Sequence, residues 1–100
     1  MSNAVWFISY ELVEGASVPE FLLAAEGCCK EVASKKKGYI SWKQLKQGNT
    51  WVDLMTFETM EDAINFEEQA DPDNPYASKF YSFINPDTLD SQMYSVEKSY

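Results

Sequence analysis

The sequence predicts an α+β domain in which one antiparallel sheet carries helices, with elements in the order β-α-β-β-α-β. Three observations predict it. Alternating runs rich in β-branched and aromatic residues occur at 5–12, 39–47, 50–58 and 91–98. Helical spacing with capping signals fills 17–35 and 59–84, and Gly48-Asn49 separates the two middle runs as a hairpin turn would.

Val5 to Leu12 reads as the first strand, with Trp6, Ile8, Tyr10 and Leu12 on one face and Phe7, Ser9 and Glu11 on the other. Gly15 closes it. Ser17 and Glu20 then form a capping-box pattern, the Ser17 hydroxyl taking an exposed backbone N–H. The helix that follows carries an apolar stripe through Val18, Phe21, Ala25, Cys28 and Val32, and Lys35 to Lys37 meet its negative end before Gly38. Tyr39 to Gln47 and Thr50 to Glu58 form a hairpin whose Gly-Asn turn suits type II′. Thr59 starts a second helix that runs to about Ala70, Asp71 to Pro75 interrupt it, and helical spacing resumes from Tyr76 to Ile84. Ser91 to Lys98 is the last strand.

This order is the ferredoxin-like, or split βαβ, arrangement: four antiparallel strands with both helices on one face. A two-residue turn pairs Trp42 with Met55, Gln44 with Asp53, Lys46 with Trp51 and Ile40 with Phe57, all on one face. The other face carries Leu45, Val52, Leu54 and Thr56. Free of charge at these positions, it is the expected seat of the helices. The face of Trp42, Trp51, Met55 and Phe57 is then too apolar to stay wet, so a second copy of the chain is expected to cover it.

Composition excludes several functions. The chain has 100 residues, 45% of them hydrophobic and 15% aromatic, which describes one domain with one core. Its net charge is -8, all eight basic residues are Lys, and His is absent. An acidic surface without Arg disfavours nucleic acid and anionic membranes. Without imidazole there is no Ser-His-Asp or Cys-His catalysis, and no His-ligated zinc or haem. No apolar run is long enough to span a bilayer, and Met1 to Tyr10 lacks the basic start of a signal peptide, so a cytoplasmic location is expected. Cys28 and Cys29 are adjacent on a helix, where their side chains diverge; both are expected to be reduced and to serve in packing. Asp71 to Asn74 superficially suggests a calcium loop, but Tyr76 and Ser82 stand where Gly and Glu are required. No metal site is expected.

Asp53 is the sharpest candidate for chemistry. A carboxylate in mid-strand beside Trp51, Met55 and Phe57 costs free energy unless paired or solvated. As a pocket residue it would have raised proton affinity and act as a general base on a phenol. As a structural residue it would be satisfied by Gln44 or Lys46 at a dimer interface. Trp42, Trp51, Tyr94 and, from the helix face, Tyr39 are candidates to line a pocket for a small aromatic ligand, with Met55 and Gln44 beside them, or to serve in dimer-core and helix packing instead. Glu11 and Ser9 would join Asp53 only if their strand face is the uncovered one.

Gly38-Tyr39-Ile40, Trp51-Val52-Asp53-Leu54, Glu58 to Ala63, Phe80 with Ile84, and Ser91-Gln92-Met93 together resemble the dimeric α+β barrel superfamily, within it the antibiotic-biosynthesis-monooxygenase-like proteins. The resemblance spans most of the chain. It implies two sheets closing face to face into a barrel across a homodimer, with a small-molecule pocket between each sheet's uncovered face and its helices or partner. Some relatives are cofactor-free monooxygenases of polyketide quinols, and others degrade haem through a His ligand that this chain does not possess. The chain also departs from the pattern at Trp42, where relatives carry Arg, and near Tyr94, where they carry His. Chemistry built on those residues is not inherited. Two functions are therefore expected: cofactor-independent oxygenation of a small aromatic or quinol, with Asp53 as base and Trp42, Trp51 and Tyr94 positioning the substrate, or a non-catalytic small-molecule-binding or dimeric interaction protein. An open cavity beside Asp53 separates the first from the second.

Overall fold

The computed structural model describes residues 2–100 and has the expected α+β architecture. Strands β1 (Ala4–Tyr10), β2 (Tyr39–Gln47), β3 (Thr50–Phe57) and β4 (Asp90–Ser95) form one antiparallel sheet in the order β2-β3-β1-β4. Helix α1 (Val18–Glu31) joins β1 to β2, and α2 (Met60–Glu68) with α3 (Pro75–Tyr81) joins β3 to β4.

Local chemistry explains each boundary. Ser17 Oγ accepts the Glu20 backbone N–H at 3.4 Å and starts α1, which ends earlier than the Lys run implies; Ala33 to Lys35 continue as a short 3₁₀ turn. Thr59 Oγ1 accepts from Asp62 N at 3.1 Å to start α2. The Asp71–Pro75 interruption is itself a helix start: Asn74 Oδ1 accepts from Tyr76 N at 2.9 Å and Ala77 N at 3.2 Å, with Pro75 in the first turn. In the hairpin Gly48 takes φ 60° and Asn49 a negative φ, as type II′ requires. Leu12 leaves the sheet and forms a separate bridge to Ile84, where Asn85 N donates to Glu11 O at 2.9 Å.

The register pairs Trp42 with Met55, Gln44 with Asp53 and Lys46 with Trp51, as expected. A bulge at Ile40 breaks the fourth pair, so Tyr39 rather than Ile40 stands opposite Phe57. The helices, however, cover the opposite face from the one the sequence suggested. Ala4, Trp6, Ile8 and Tyr10 of β1 and Trp51, Asp53, Met55 and Phe57 of β3 are buried under them. Val52, Leu54 and Thr56 look outward and are only half-buried. The reason is area: Trp, Met and Phe remove far more apolar surface from water than Val, Leu and Thr, and one carboxyl with a hydrogen-bond partner is a small debit against that gain. Ser9 pairs with Val52 on the outer face, so Glu11 and Ser9 do not join Asp53.

The buried face is packed at both ends. At one end Phe21 of α1 meets Trp51 at 5.2 Å, Phe80 at 5.5 Å and Tyr10 at 6.1 Å between ring centroids. At the other, Phe66 of α2 meets Phe57 at 5.3 Å and Trp6 at 5.8 Å. The space between these clusters is open.

Candidate active site

That opening is a cavity of about 370 Å³ between the sheet and the three helices. Trp6, Ile8, Tyr10, Asp53 and Met55 form its sheet side, Trp42 stands on the β2 side, and Phe66, Phe80 and Tyr81 come from α2 and α3. Strand alternation sets this floor, because residues two apart share a face. Side by side in the register are Tyr10 with Trp51, Ile8 with Asp53 and Trp6 with Met55.

Asp53 is 2% exposed. The Tyr10 hydroxyl donates to its Oδ1 at 2.8 Å. Burial pushes the Asp53 carboxyl up to about 6 from its ordinary 3.8, and the hydroxyl of Tyr10 with the nearby N–H groups of Trp42 and Gln44 offsets part of that rise. Neither Trp42 Nε1 nor Gln44 Nε2 closes a hydrogen bond: both are buried without a protein partner. Burial, then the Asp53 charge, raises Tyr10 so far that its phenol stays protonated and acts purely as a donor. One carboxylate oxygen is thus held by the protein. Among the described residues no basic side chain forms an ion pair with Asp53; the two ion pairs are the exposed helix pairs Glu26–Lys30 and Glu31–Lys35.

Cys28 also lines the cavity, and burial pushes its thiol up to about 11, which leaves it a neutral packing group. Cys29 diverges as expected and lies 3.3 Å from the Tyr39 hydroxyl. Among the described residues no group of three His, Cys, Asp or Glu side chains is placed to hold a metal ion.

Of the residues singled out in the sequence, Asp53, Trp42 and Met55 lie together on the cavity wall. Gln44 does not line the cavity but stands opposite Asp53 in the register, with its amide near the carboxyl. Trp51 does not line the cavity; it is core beneath Phe21, with the Lys46 ammonium 5.9 Å from its ring. Tyr94 pairs with Val5 on the outer face, away from Asp53, because its strand position has the opposite parity to Met93. Sequence reasoning missed Tyr10, Trp6, Phe66, Phe80 and Tyr81. Tyr10 and Trp6 were legible in principle: they share a strand face, and the ferredoxin-like order sets β1 beside β3.

The fold is that of antibiotic-biosynthesis-monooxygenase-like proteins, an α+β ferredoxin-like class. The chain matches SnoaB, a cofactor-independent oxygenase from Streptomyces nogalater, over 99% of this chain and 97% of that one, with a TM-score of 0.73 and 10% identity. It also matches a candidate antibiotic biosynthesis monooxygenase from Bacillus cereus, over 100% and 98% of the two chains, with a TM-score of 0.62 and 17% identity. A nipsnap family protein of unknown function from Agrobacterium tumefaciens matches with a TM-score of 0.65 and 19% identity, over 94% of this chain and 87% of that one. No family model and no curated protein sequence matches the chain. No helix among the described residues is long and apolar enough to cross a membrane.

Proposed function

We propose that the chain is a cofactor-independent oxygenase of a small hydroxylated aromatic, with Asp53 as its general base. The observation that carries this reading is the Tyr10–Asp53 pair at the floor of an apolar cavity: a carboxylate near 6, with one oxygen held at 2.8 Å and without a cationic partner. At neutral pH it is mostly ionised, yet it is a stronger base than an exposed carboxylate. In the proposed reaction Asp53 removes a proton from a ring CH₂ acidified by a conjugated carbonyl, as in anthrone, the keto form of a hydroxylated arene. The resulting carbanion gives an electron to O₂, and recombination forms a hydroperoxide. Loss of water then leaves a carbonyl, so that CH₂ plus O₂ yields C=O plus H₂O, and all four electrons come from the substrate. Trp42 and Met55 bound the ring, and the aromatic walls keep water from the anion. The likeness to SnoaB in fold supports this choice among reaction classes.

Anthrone is a suitable probe in an oxygen electrode. The expected result is uptake of one O₂ per anthrone above the buffer rate, lowered about 100-fold or more in Asp53→Asn. Equal rates for the two proteins would remove Asp53 from the chemistry. Binding of anthrone without uptake would favour the non-catalytic binding protein.

The proposal includes a homodimer, formed through the outer face of the sheet. Phe7, Leu45 and Tyr94 are 38%, 47% and 56% exposed there, and half-buried Val5, Val52 and Leu54 fill the space between them. A sheet face of this character suits a second copy, related by a two-fold axis. Two reduced thiols suit a cytoplasmic location.

A further inference from the structure

The cavity encloses a negative charge for which the protein supplies no counter-ion. Asp53 lines it, and the Tyr10 hydroxyl takes only Oδ1. Its Oδ2 accepts from no protein group and, unlike Trp42 Nε1 and Gln44 Nε2, keeps accessible surface on the cavity side. Lys36 is the one basic residue on the lining, and no lysine is among the groups that set the proton affinity of Asp53. A buried carboxylate of this kind lacks the partner that usually stabilises it.

Two further features of the same cavity favour a cation. Trp6, Tyr10, Trp42, Phe66, Phe80 and Tyr81 line it, and aromatic rings attract an ammonium group through the negative charge of their faces. Glu67 and Asp71 line it as well, so that its charged lining is three carboxylates and one lysine, in a chain of net charge -8. Such a field draws cations and repels anions. A neutral ligand filling this space takes water from the Asp53 anion and returns at most a hydrogen bond. An ammonium group returns an opposite charge where the dielectric is low.

We infer that the cavity is a binding site for small organic ammonium ions, the cation pairing with Asp53 Oδ2 and its methyl or methylene groups packing on the aromatic walls. The inference goes beyond the proposed oxygenation and needs only the cavity and the charge on Asp53. An ammonium seated there occupies the proposed base, so such ions compete with anthrone for the site.

Two probes of one shape test it. 4-(Hydroxymethyl)phenyltrimethylammonium and 4-tert-butylbenzyl alcohol differ by a single positive charge. By titration calorimetry at pH 8, where Asp53 is ionised, the ammonium is expected to bind wild-type protein about 10-fold or more tighter than the alcohol. Asp53→Asn removes the charge at nearly constant size. It is expected to weaken the ammonium about 10-fold or more and to leave the alcohol within about threefold. Equal affinities of the two probes for wild-type protein overturn the inference, as does an ammonium that binds wild type only above millimolar concentration. It falls equally if Asp53→Asn weakens both probes alike or leaves the ammonium as tight as before, since the cation is then held elsewhere. A second measurement reads the wild-type protein alone. In a ¹³C titration of the Asp53 carboxyl, the ammonium is expected to lower the midpoint by about one unit or more and the alcohol is not. A midpoint that the ammonium leaves in place or raises would contradict the pairing. Oxygen uptake enters neither measurement, so failure of the proposed oxygenation leaves this inference standing, and the reverse.

Discussion

On the inner face of the sheet Trp6, Trp51, Met55 and Phe57 lie buried under helices, while on the outer face Phe7, Leu45 and Tyr94 remain substantially exposed. Trp6 and Phe7 are successive residues of one strand, so neither propensity nor strand position distinguishes the two faces. Side-chain area does. The inner face buries its large rings against Phe21 and Phe66 and tolerates one carboxyl, because Tyr10 satisfies part of that group's hydrogen-bonding need. The outer face carries smaller side chains, with Lys43 paired to Leu54 and Asp90 to Ser9. A polar residue on a strand is thus weak evidence about which side is covered, and total aromatic volume is stronger.

Breaking the outer face should have the largest effect. The double substitution Phe7→Lys and Leu54→Lys places ammonium groups on directly paired positions of β1 and β3. It is expected to abolish the proposed dimer, as light scattering after size exclusion will record, while leaving far-UV circular dichroism and probe binding unchanged. Loss of probe binding along with the dimer would mean that the inner cavity depends on the partner.

The inner face is tested next by pH. Asp53 binds its proton more tightly in the folded chain than in the unfolded one, about 6 against 3.8. Stability from this protonation is fully present only below the unfolded value of 3.8 and is lost as pH rises through about 6, by about 3 kcal/mol in all. Asp53→Asn lacks that dependence. Urea unfolding at pH 4 and pH 8 should therefore show the variant gaining about 2.4 kcal/mol on wild type between the two. A gap independent of pH would mean an ordinary carboxyl.

Two tryptophans of the inner face should then separate. Trp51→Phe removes packing against Phe21 and is expected to cost about 1–2 kcal/mol of stability without moving the titration of Asp53. Trp42→Phe removes an N–H that favours the Asp53 anion, and should move that titration to higher pH. The smallest effect belongs to Tyr94→Phe, whose hydroxyl is on the outer face; anthrone oxidation should stay within about twofold.

Much of this was legible in the sequence. The capping residues Ser17 and Thr59, the Gly48-Asn49 turn and the alternation in 50–57 follow local rules and fix the elements and the register. Asp53 stood out because a mid-strand carboxylate among aromatics needs a reason. What was not legible depends on contacts between distant segments. The covered face is decided by how Phe21 and Phe66 pack on the sheet, and Tyr10 reaches Asp53 across 43 residues of sequence. Tyr94 was misplaced for the same reason, since the last strand has no hairpin partner to fix its parity.

The most direct test of Asp53 as a ligand-facing base is a ¹³C NMR titration of the Asp carboxyls, with Asp53 assigned by its loss in Asp53→Asn, in the free protein and with 6-hydroxy-1-tetralone. The expected result is a midpoint near 6 in the free protein that moves when the probe binds. A midpoint near the ordinary 3.8, unchanged by a bound probe, would contradict it.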